Sequence, residues 1–130
     1  MKEQRFSRQR EQIYQAVYSS REHPSAQMVY ESLKPDMPRL SLGTVYRNLS
    51  FLVDSGKVRK IFTGMGPDRF DGHINRHFHF ICRCCGNVDD LDVTPEDELL
   101  EKASLRCNGI LDSYELQFFG KCGSCLSKNE

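Results

Sequence analysis

Apolar side chains recur at spacings of three and four residues along the first half of the chain, which is the period of an amphipathic helix. The first such segment runs from Ser7 to Ser20, and the second runs from Ser25, a helix-capping residue, to about Leu33. Pro24 separates them because the residue before a proline is kept out of the helical region. A third segment is capped by Ser41 and ends near Gly56, which can take the left-handed conformation of a helix end.

After the third helix the pattern changes to two short runs around a glycine turn. Residues 57–62 and 69–71 flank Gly64 and Gly66, so they predict an antiparallel hairpin. The glycine pair lacks the third glycine and the following helix of a dinucleotide site, so we assign it no ligand. Three short helices followed by a hairpin predict a winged helix-turn-helix domain.

The second half alternates apolar and polar residues, which is the period of a half-buried strand. The alternating segments are residues 77–81, 88–93 and 111–119. Thr94-Pro95 predicts the start of an acidic helix that reaches about Arg106. The apolar positions that this helix is expected to bury are Leu99, Leu100 and Ala103. The chain therefore predicts an α+β fold, with a winged helix first and a small α/β unit second.

Charge divides the chain in the same place. Residues 1–64 hold 11 Lys and Arg against 6 Asp and Glu, a net charge of +5, whereas residues 65–130 hold 7 against 12, a net charge of −5. A basic half suggests a nucleic-acid partner, and an acidic half suggests bound cations.

The chain opens without a cationic, apolar leader and has no run approaching the roughly 18 apolar residues of a membrane span. We therefore expect a soluble, cytoplasmic protein with no membrane partner. In a reducing compartment, cysteine pairs spaced Cys-x2-Cys favour zinc over disulfides.

Two such pairs, Cys82/Cys85 and Cys122/Cys125, are separated by 36 residues. Four thiolates with this spacing can form a tetrahedral structural zinc site. A domain with a small hydrophobic core needs such a cross-link to be stable. The alternative is a set of buried reduced thiols, which explains the paired spacing poorly. Cys84 and Cys107 lack the spacing, so we expect them to be ordinary residues.

A second group of candidate ligands has only nitrogen and oxygen donors. His77 and His79 are two apart on a predicted strand, so their side chains share a face about 6.6 Å apart along the backbone. With Asp71 before them and Asp90 after them, they suggest a site for iron, manganese or zinc. His23 on its own is typical of a surface or capping residue.

The third helix could simply be a packed amphipathic helix. However, its outer side and the hairpin after it present residue types that reach phosphates and base edges in the major groove. The predicted DNA-binding residues are Ser41, Thr44, Tyr46, Arg47, Asn48, Lys57, Arg59 and Lys60.

Two motifs together resemble the ferric-uptake-regulator family of metal-dependent repressors. They are Ser41-x2-Thr44-Val45-Tyr46-Arg47-Asn48-Leu49 and His77-x-His79-x2-Cys82-x2-Cys85-Gly86, and the likeness covers residues 5–126. The resemblance implies a cytoplasmic homodimer that binds double-stranded operator DNA when a regulatory metal is present. It also implies a winged-helix domain at residues 1–64, a hinge at 65–75 and a metal-binding dimerisation domain at 76–130.

Within the family, the residues look most like the peroxide-sensing PerR branch. By motif position, the resemblance implies a regulatory Fe²⁺ or Mn²⁺ held by His23, Asp71, His77, His79 and Asp90. It further implies that peroxide oxidises a liganding histidine, His77 or His23, on the iron-loaded protein and releases the DNA.

Two alternatives remain open. The chain could be a repressor of metal uptake that responds to iron, manganese or zinc without peroxide chemistry, or a zinc-ribbon interaction module that binds no DNA. A zinc deaminase would need His-x-Glu with Pro-Cys-x2-Cys, but position 79 is histidine and no proline precedes Cys82. We therefore expect no enzyme activity and no small organic substrate.

Overall fold

The computed structural model describes residues 2–74, 77–93 and 96–128, with side chains from Arg8 to Ser127. Contacts between Cα atoms divide the chain into two compact units, Met1–Ile74 and Asn75–Glu130. Residues 65–74 belong to the first unit because the second strand of the hairpin pairs with the first. The hinge at residues 65–75 stays a prediction.

The first unit contains the three predicted helices and the hairpin. Its elements are α1 (Lys2–Ser19), α2 (Ala26–Leu33), α3 (Leu42–Asp54), β1 (Arg59–Ile61) and β2 (Arg69–Asp71). Ser25 and Ser41 cap α2 and α3 as predicted, each accepting a hydrogen bond from the N–H group three residues later. The helix predicted from Ser7 begins earlier, at Lys2, because the preceding residues are also good helix formers.

One hydrophobic core holds the first unit together. The apolar stripes of the three helices meet there with Val58 and with Phe70 of β2. Gly56 has a φ of 80°, the left-handed conformation predicted for the end of the third helix, while Gly64 and Gly66 have positive φ in the hairpin loop. The helix-period pattern therefore located the three helices whose apolar stripes form this core.

The second unit is a three-stranded sheet with two short helices. Its elements are β3 (Phe78–Cys82), β4 (Val88–Leu91), α4 (Asp97–Ser104), β5 (Gln117–Gly120) and α5 (Gly123–Lys128). The strand order is β4-β3-β5, with β4 antiparallel and β5 parallel to β3. Together, the two units confirm the predicted α+β fold class.

Two predictions in this unit were wrong. The strand predicted over residues 111–119 is shorter, since the register that pairs His79 with Gln117 leaves no β3 partner for residues before about 116. No residue of α4 is buried, although Leu99, Leu100 and Ala103 were expected to be. The described part of the unit places no layer over that apolar face. The predicted helix start at Thr94-Pro95 lies outside the described residues.

Among the described residues, no helix combines the length and the apolar character needed to cross a bilayer.

Candidate metal centres and nucleic-acid face

The four paired cysteines converge in the second unit. Cys82 lies at the end of β3, Cys85 in the turn that follows, Cys122 just before α5 and Cys125 within it. Their sulfur atoms all lie within 4.8 Å of one another, with 3.7 Å between Cys82 and Cys125 and 3.8 Å between Cys85 and Cys122. A tetrahedral zinc ion with Zn–S bonds of about 2.3 Å places its sulfurs about 3.8 Å apart. The cluster therefore fits a four-thiolate zinc site.

Backbone groups stabilise negative charge at this cluster. The N–H groups of Cys85 and Cys122 donate to the Cys82 sulfur, at 3.5 and 3.4 Å, and they lower the pKa of Cys82 to about 5. The neighbouring Cys122 and Cys82 thiols raise the pKa of Cys125 to about 12. Four thiolates this close repel one another, so the cluster needs a cation to hold all four deprotonated.

Three nitrogen and oxygen donors of the second unit converge at one end of the sheet. His79 of β3 pairs with Asp90 of β4, and His77 stands two residues before His79 on the same side. His77 Nε2 lies 3.0 Å from both His79 Nε2 and Asp90 Oδ1, and His79 Nε2 lies 3.4 Å from that oxygen. Ligands about 2.1 Å from an ion at right angles are about 3.0 Å apart. The spacing of these three donor atoms therefore fits one face of a metal site.

The first unit brings the other two predicted ligands together. His23 and Asp71 are 3% and 1% exposed, and Nδ1 of the histidine lies 3.9 Å from Oδ1 of the carboxylate. His23 has a φ of 51°, a left-handed conformation that is rare outside glycine and that concentrates at functional sites. The predicted five-ligand set thus consists of two groups, one built within each unit.

Arg69 holds the His23 backbone in this conformation. Its Nη1 donates to the carbonyl oxygens of Glu22 and His23, at 2.9 and 3.0 Å, while the N–H of Phe70 donates to the carbonyl of Pro24 at 2.9 Å. Strand β2 therefore fixes the segment that presents His23. The same strand ends at Asp71, so one element positions both predicted ligands.

The outer side of α3 contains a network of polar side chains. The Thr44 hydroxyl lies 2.8 Å from the Ser41 hydroxyl and accepts from Arg47 Nη2 at 3.0 Å. Asn48 is 6% exposed, and its amide nitrogen donates to the Thr44 carbonyl at 2.9 Å. Tyr46 is 48% exposed. Arg47 and Tyr46 are accessible to a ligand, whereas the Asn48 amide is used inside the unit, and its DNA contact stays a prediction.

The predicted basic residues of the hairpin have weaker attachments. Lys57 and Lys60 are exposed, and Lys60 Nζ lies 3.8 Å from Asp68 on the opposite strand end. Arg59 Nη2 donates to the Ile74 carbonyl at 3.1 Å. Exposed ion pairs contribute little free energy, so Lys60 can exchange Asp68 for a phosphate at small cost.

Residues 2–119 match the sequence profile of the ferric uptake regulator family. The chain belongs to this family. The peroxide-responsive repressor PerR of Staphylococcus aureus is 32% identical over 124 residues, which cover 95% of this chain and 84% of that protein. The Campylobacter jejuni peroxide stress regulator aligns with a TM-score of 0.80 at 25% identity, covering 95% of this chain and 93% of that one. Helicobacter pylori Fur, described with three functional metal binding sites, aligns with a TM-score of 0.77 at 25% identity, covering 92% and 80%.

Membership of the ferric uptake regulator family confirms the resemblance seen in the two motifs. It makes the chain a metal-responsive transcriptional regulator, in a family of repressors rather than enzymes. The cysteine cluster and the histidine and aspartate groups are the residues that could hold its metals.

Three contacts of this family member could not be read from the sequence. Arg69 braces His23, Arg10 of α1 contacts α3, and His73 packs its ring 4.3 Å from that of Tyr18. Each joins residues about 40 to 55 positions apart. Such pairs leave no periodic signal.

Proposed function

We propose that this protein is a metal-dependent DNA-binding repressor that senses hydrogen peroxide. The observation that carries the proposal is the donor chemistry of the two ligand groups. His77, His79 and Asp90 supply nitrogen and oxygen atoms about 3 Å apart with no thiolate among them, and His23 and Asp71 add two more. Such a set suits Fe²⁺ or Mn²⁺, whereas the four cysteines suit a structural Zn²⁺.

One regulatory ion bound by both groups would link the two units. Since His23 and Asp71 belong to the winged helix and the other three ligands belong to the sheet unit, bound metal would favour one arrangement of the domains. The predicted hinge, residues 65–75, contains β2, which pairs with β1 inside the first unit, so the domain arrangement would change at its C-terminal end, after Ile74. Metal then shifts the population toward the arrangement that fits the operator.

The proposed complex is a homodimer on double-stranded DNA. The second unit exposes large apolar side chains that a second copy would cover, and they are Leu99, Leu105, Ile110, Leu111, Leu116, Phe118 and Phe119. A dimer spaces two recognition helices to match two half-sites of an operator. In each copy, α3 enters the major groove and the hairpin contacts the backbone.

Peroxide sensing depends on the histidines. Bound iron would pass one electron to hydrogen peroxide beside its ligands and regain one from the oxidised ring, so the ring is the net reductant. One oxygen of the peroxide ends on a ring carbon of His77 or His23 in place of hydrogen, and the other leaves as water. The oxidised ring is a poorer ligand, so the site weakens and the DNA is released. The proposal places the protein in the cytoplasm, where reducing conditions keep the thiolates available for zinc.

The test measures DNA binding and mass in the same samples. An operator is first selected from a random double-stranded library with Mn²⁺-loaded protein, and binding is then compared for the Fe²⁺, Mn²⁺ and metal-free forms before and after peroxide. We expect loss of binding and the gain of one oxygen atom on His77 or His23 only in the iron form.

Trypsin places His73 and the pair His77 and His79 in different peptides for this measurement. Because it cleaves after Arg69, Arg76 and Arg83, His73 falls in one peptide and His77 with His79 in the next. His73 is therefore an internal control for indiscriminate oxidation. An iron form that binds DNA in a metal-dependent way but stays unmodified would favour a repressor responding to metal alone. Absence of any metal-dependent, sequence-specific binding would favour an interaction module.

A further inference from the structure

Arg10 of α1 is fixed against the recognition helix α3 by two contacts. Its guanidinium carbon lies 3.7 Å from the centre of the Phe51 ring, and its Nε donates to Oδ1 of Asn48 at 3.1 Å. Phe51 is 48% exposed, while Asn48 is 6% exposed and anchored by its own bond to the Thr44 carbonyl. The arginine therefore lies on an exposed ring and is oriented by a buried amide.

These contacts use only part of the guanidinium. Arginine has five N–H donors, and the bond to Asn48 takes one of them. Within the part of the chain that the structure describes, Arg10 makes no other hydrogen bond or ion pair, so both of its NH₂ groups are available. A planar guanidinium with two NH₂ groups side by side matches the oxygens of a phosphate.

The contact to Asn48 extends the polar network of α3 onto α1. Arg47 donates to the Thr44 hydroxyl, the Thr44 carbonyl accepts from Asn48, and Asn48 accepts from Arg10. A purely structural clamp between two helices explains the stacking, but it leaves unexplained why the clamp is a charged group with four unused donors. Apolar side chains would join the helices without the cost of holding a charge there.

We propose that Arg10 binds a phosphate of the DNA backbone and that Asn48 and Phe51 are its positioning residues. The inference rests on the proposed DNA binding and extends the interface from α3 and the hairpin to α1. Asn48 then acts through Arg10 rather than by reaching a base edge. A phosphate contact strengthens binding to any sequence, so Arg10 sets affinity and register rather than operator choice.

The test compares Arg10→Met with Arg21→Ala in Mn²⁺-loaded protein. Methionine keeps an unbranched apolar stem on the Phe51 ring and removes the charge. Arg21 is exposed, lies beyond the end of α1 and is outside the proposed interface. Its replacement removes the same single positive charge as Arg10→Met. Binding to the selected operator and to unrelated DNA is measured from 50 to 300 mM salt, and thermal unfolding shows that each variant is folded.

At about 150 mM salt, we expect Arg10→Met to weaken binding to both DNAs by about fivefold for each copy of the chain in the complex, since each phosphate contact releases about 0.9 counterions. The slope of log affinity against log salt should fall by about 0.9 per copy, while Arg21→Ala leaves it unchanged. Asn48→Ala should weaken binding in the wild-type background and have no further effect on Arg10→Met.

Three results would overturn the inference. An unchanged salt slope in folded Arg10→Met excludes the phosphate contact, and a loss confined to the operator indicates base recognition instead. Additive effects of Asn48→Ala and Arg10→Met show that Asn48 does not act through Arg10. Failure of the wild-type protein to bind DNA overturns the proposed function itself, which distinguishes that failure from the failure of this inference.

Discussion

Gly72 lies where the chain passes closest to α1, directly after the proposed ligand Asp71. A Cβ atom at position 72 would lie 2.7 Å from the Cα of Tyr18, 3.1 Å from its backbone nitrogen and 3.2 Å from its Cβ. The next residue, His73, stacks on the Tyr18 ring, and its backbone N–H donates to Asp71 Oδ1 at 2.9 Å. Only glycine allows this approach, because the atoms in the way belong mostly to helix backbone and cannot rotate aside.

Replacing Gly72 with alanine should therefore push the end of β2 away from α1. Carbon atoms in contact are normally about 3.5–4.0 Å apart, so roughly 1 Å has to be absorbed by the backbone. Overpacking of this kind costs about 1–3 kcal/mol, and we expect the upper part of the range here because no flexible side chain can yield. For a unit of this size, 2–3 kcal/mol lowers the melting temperature by roughly 10–20 °C.

Metal affinity should fall as well, although no ligand is changed. Moving residues 72 and 73 removes the hydrogen bond that orients the Asp71 carboxylate, and loss of such support typically weakens metal binding about ten- to hundredfold. Thermal unfolding followed by circular dichroism measures the first effect, and Mn²⁺ titration at a temperature where the variant is folded measures the second.

Gly43 offers a matched control in the same unit. Gly43 lies within α3, and its added Cβ would meet only side-chain atoms, the end of Arg47 at 3.4 Å and the Ser41 hydroxyl at 3.9 Å. Gly43→Ala should raise stability by up to about 1 kcal/mol through helix propensity and leave Mn²⁺ affinity unchanged. A Gly72→Ala protein with the wild-type melting temperature and Mn²⁺ affinity would refute the close approach and the role given to Asp71.

Three further predictions concern the two metal centres. Cys125→Ser should release zinc and destabilise the second unit by more than about 4 kcal/mol, whereas Cys84→Ser should keep the full zinc content measured by mass spectrometry. In zinc-free protein, the pKa of Cys82 is lowered from 9.0 to about 5, so the free energy of unfolding should rise between pH 5 and 9. The pKa of Cys125 is raised to about 12, so the free energy of unfolding should fall above pH 9. Urea unfolding across pH 5–10 tests both signs, and a flat profile contradicts them. Arg69→Ala removes two hydrogen bonds to backbone carbonyls, so it should lower the free energy of unfolding by about 2 kcal/mol and weaken Mn²⁺ binding through His23. Arg69→Lys should recover little of either loss, because a lysine lacks the forked guanidinium. Wild-type stability and Mn²⁺ affinity in either variant would contradict the role of Arg69 in holding His23.

Local patterns predicted the first unit better than the second. Helix periodicity and the caps Ser25 and Ser41 identified α2 and α3, because a buried helix stripe and a capping hydroxyl are both properties of neighbouring residues. The cysteine spacing likewise predicted the four-sulfur cluster. In contrast, Leu99 was expected to be buried and is 44% exposed, since an apolar helix face does not specify whether its own chain or a second copy covers it.

The predicted metal ligands illustrate the same limit. His77 and His79 could be paired from their spacing on one strand, but His23 had no periodic neighbour and was singled out only through the family resemblance. The structure shows what holds the His23 backbone at its positive φ. Arg69 donates two hydrogen bonds, to the carbonyl oxygens of Glu22 and His23. Contacts between residues more than 40 positions apart follow from the fold and not from any local pattern.

The proposed switch gains from having each ligand group built within its own unit. β2 positions His23 and Asp71, and β3 and β4 position the other three proposed ligands. Each group of side chains is therefore ordered before the metal binds. The free energy of metal binding can then go into selecting a domain arrangement rather than into folding loops. It also follows that oxidation of one histidine acts without unfolding either unit: the zinc cluster and the core of the winged helix share no residue with the proposed regulatory site. The oxidised protein should therefore release DNA while keeping its zinc and its melting transition. An iron form that loses zinc or unfolds on brief exposure to peroxide would show that release reflects damage rather than sensing.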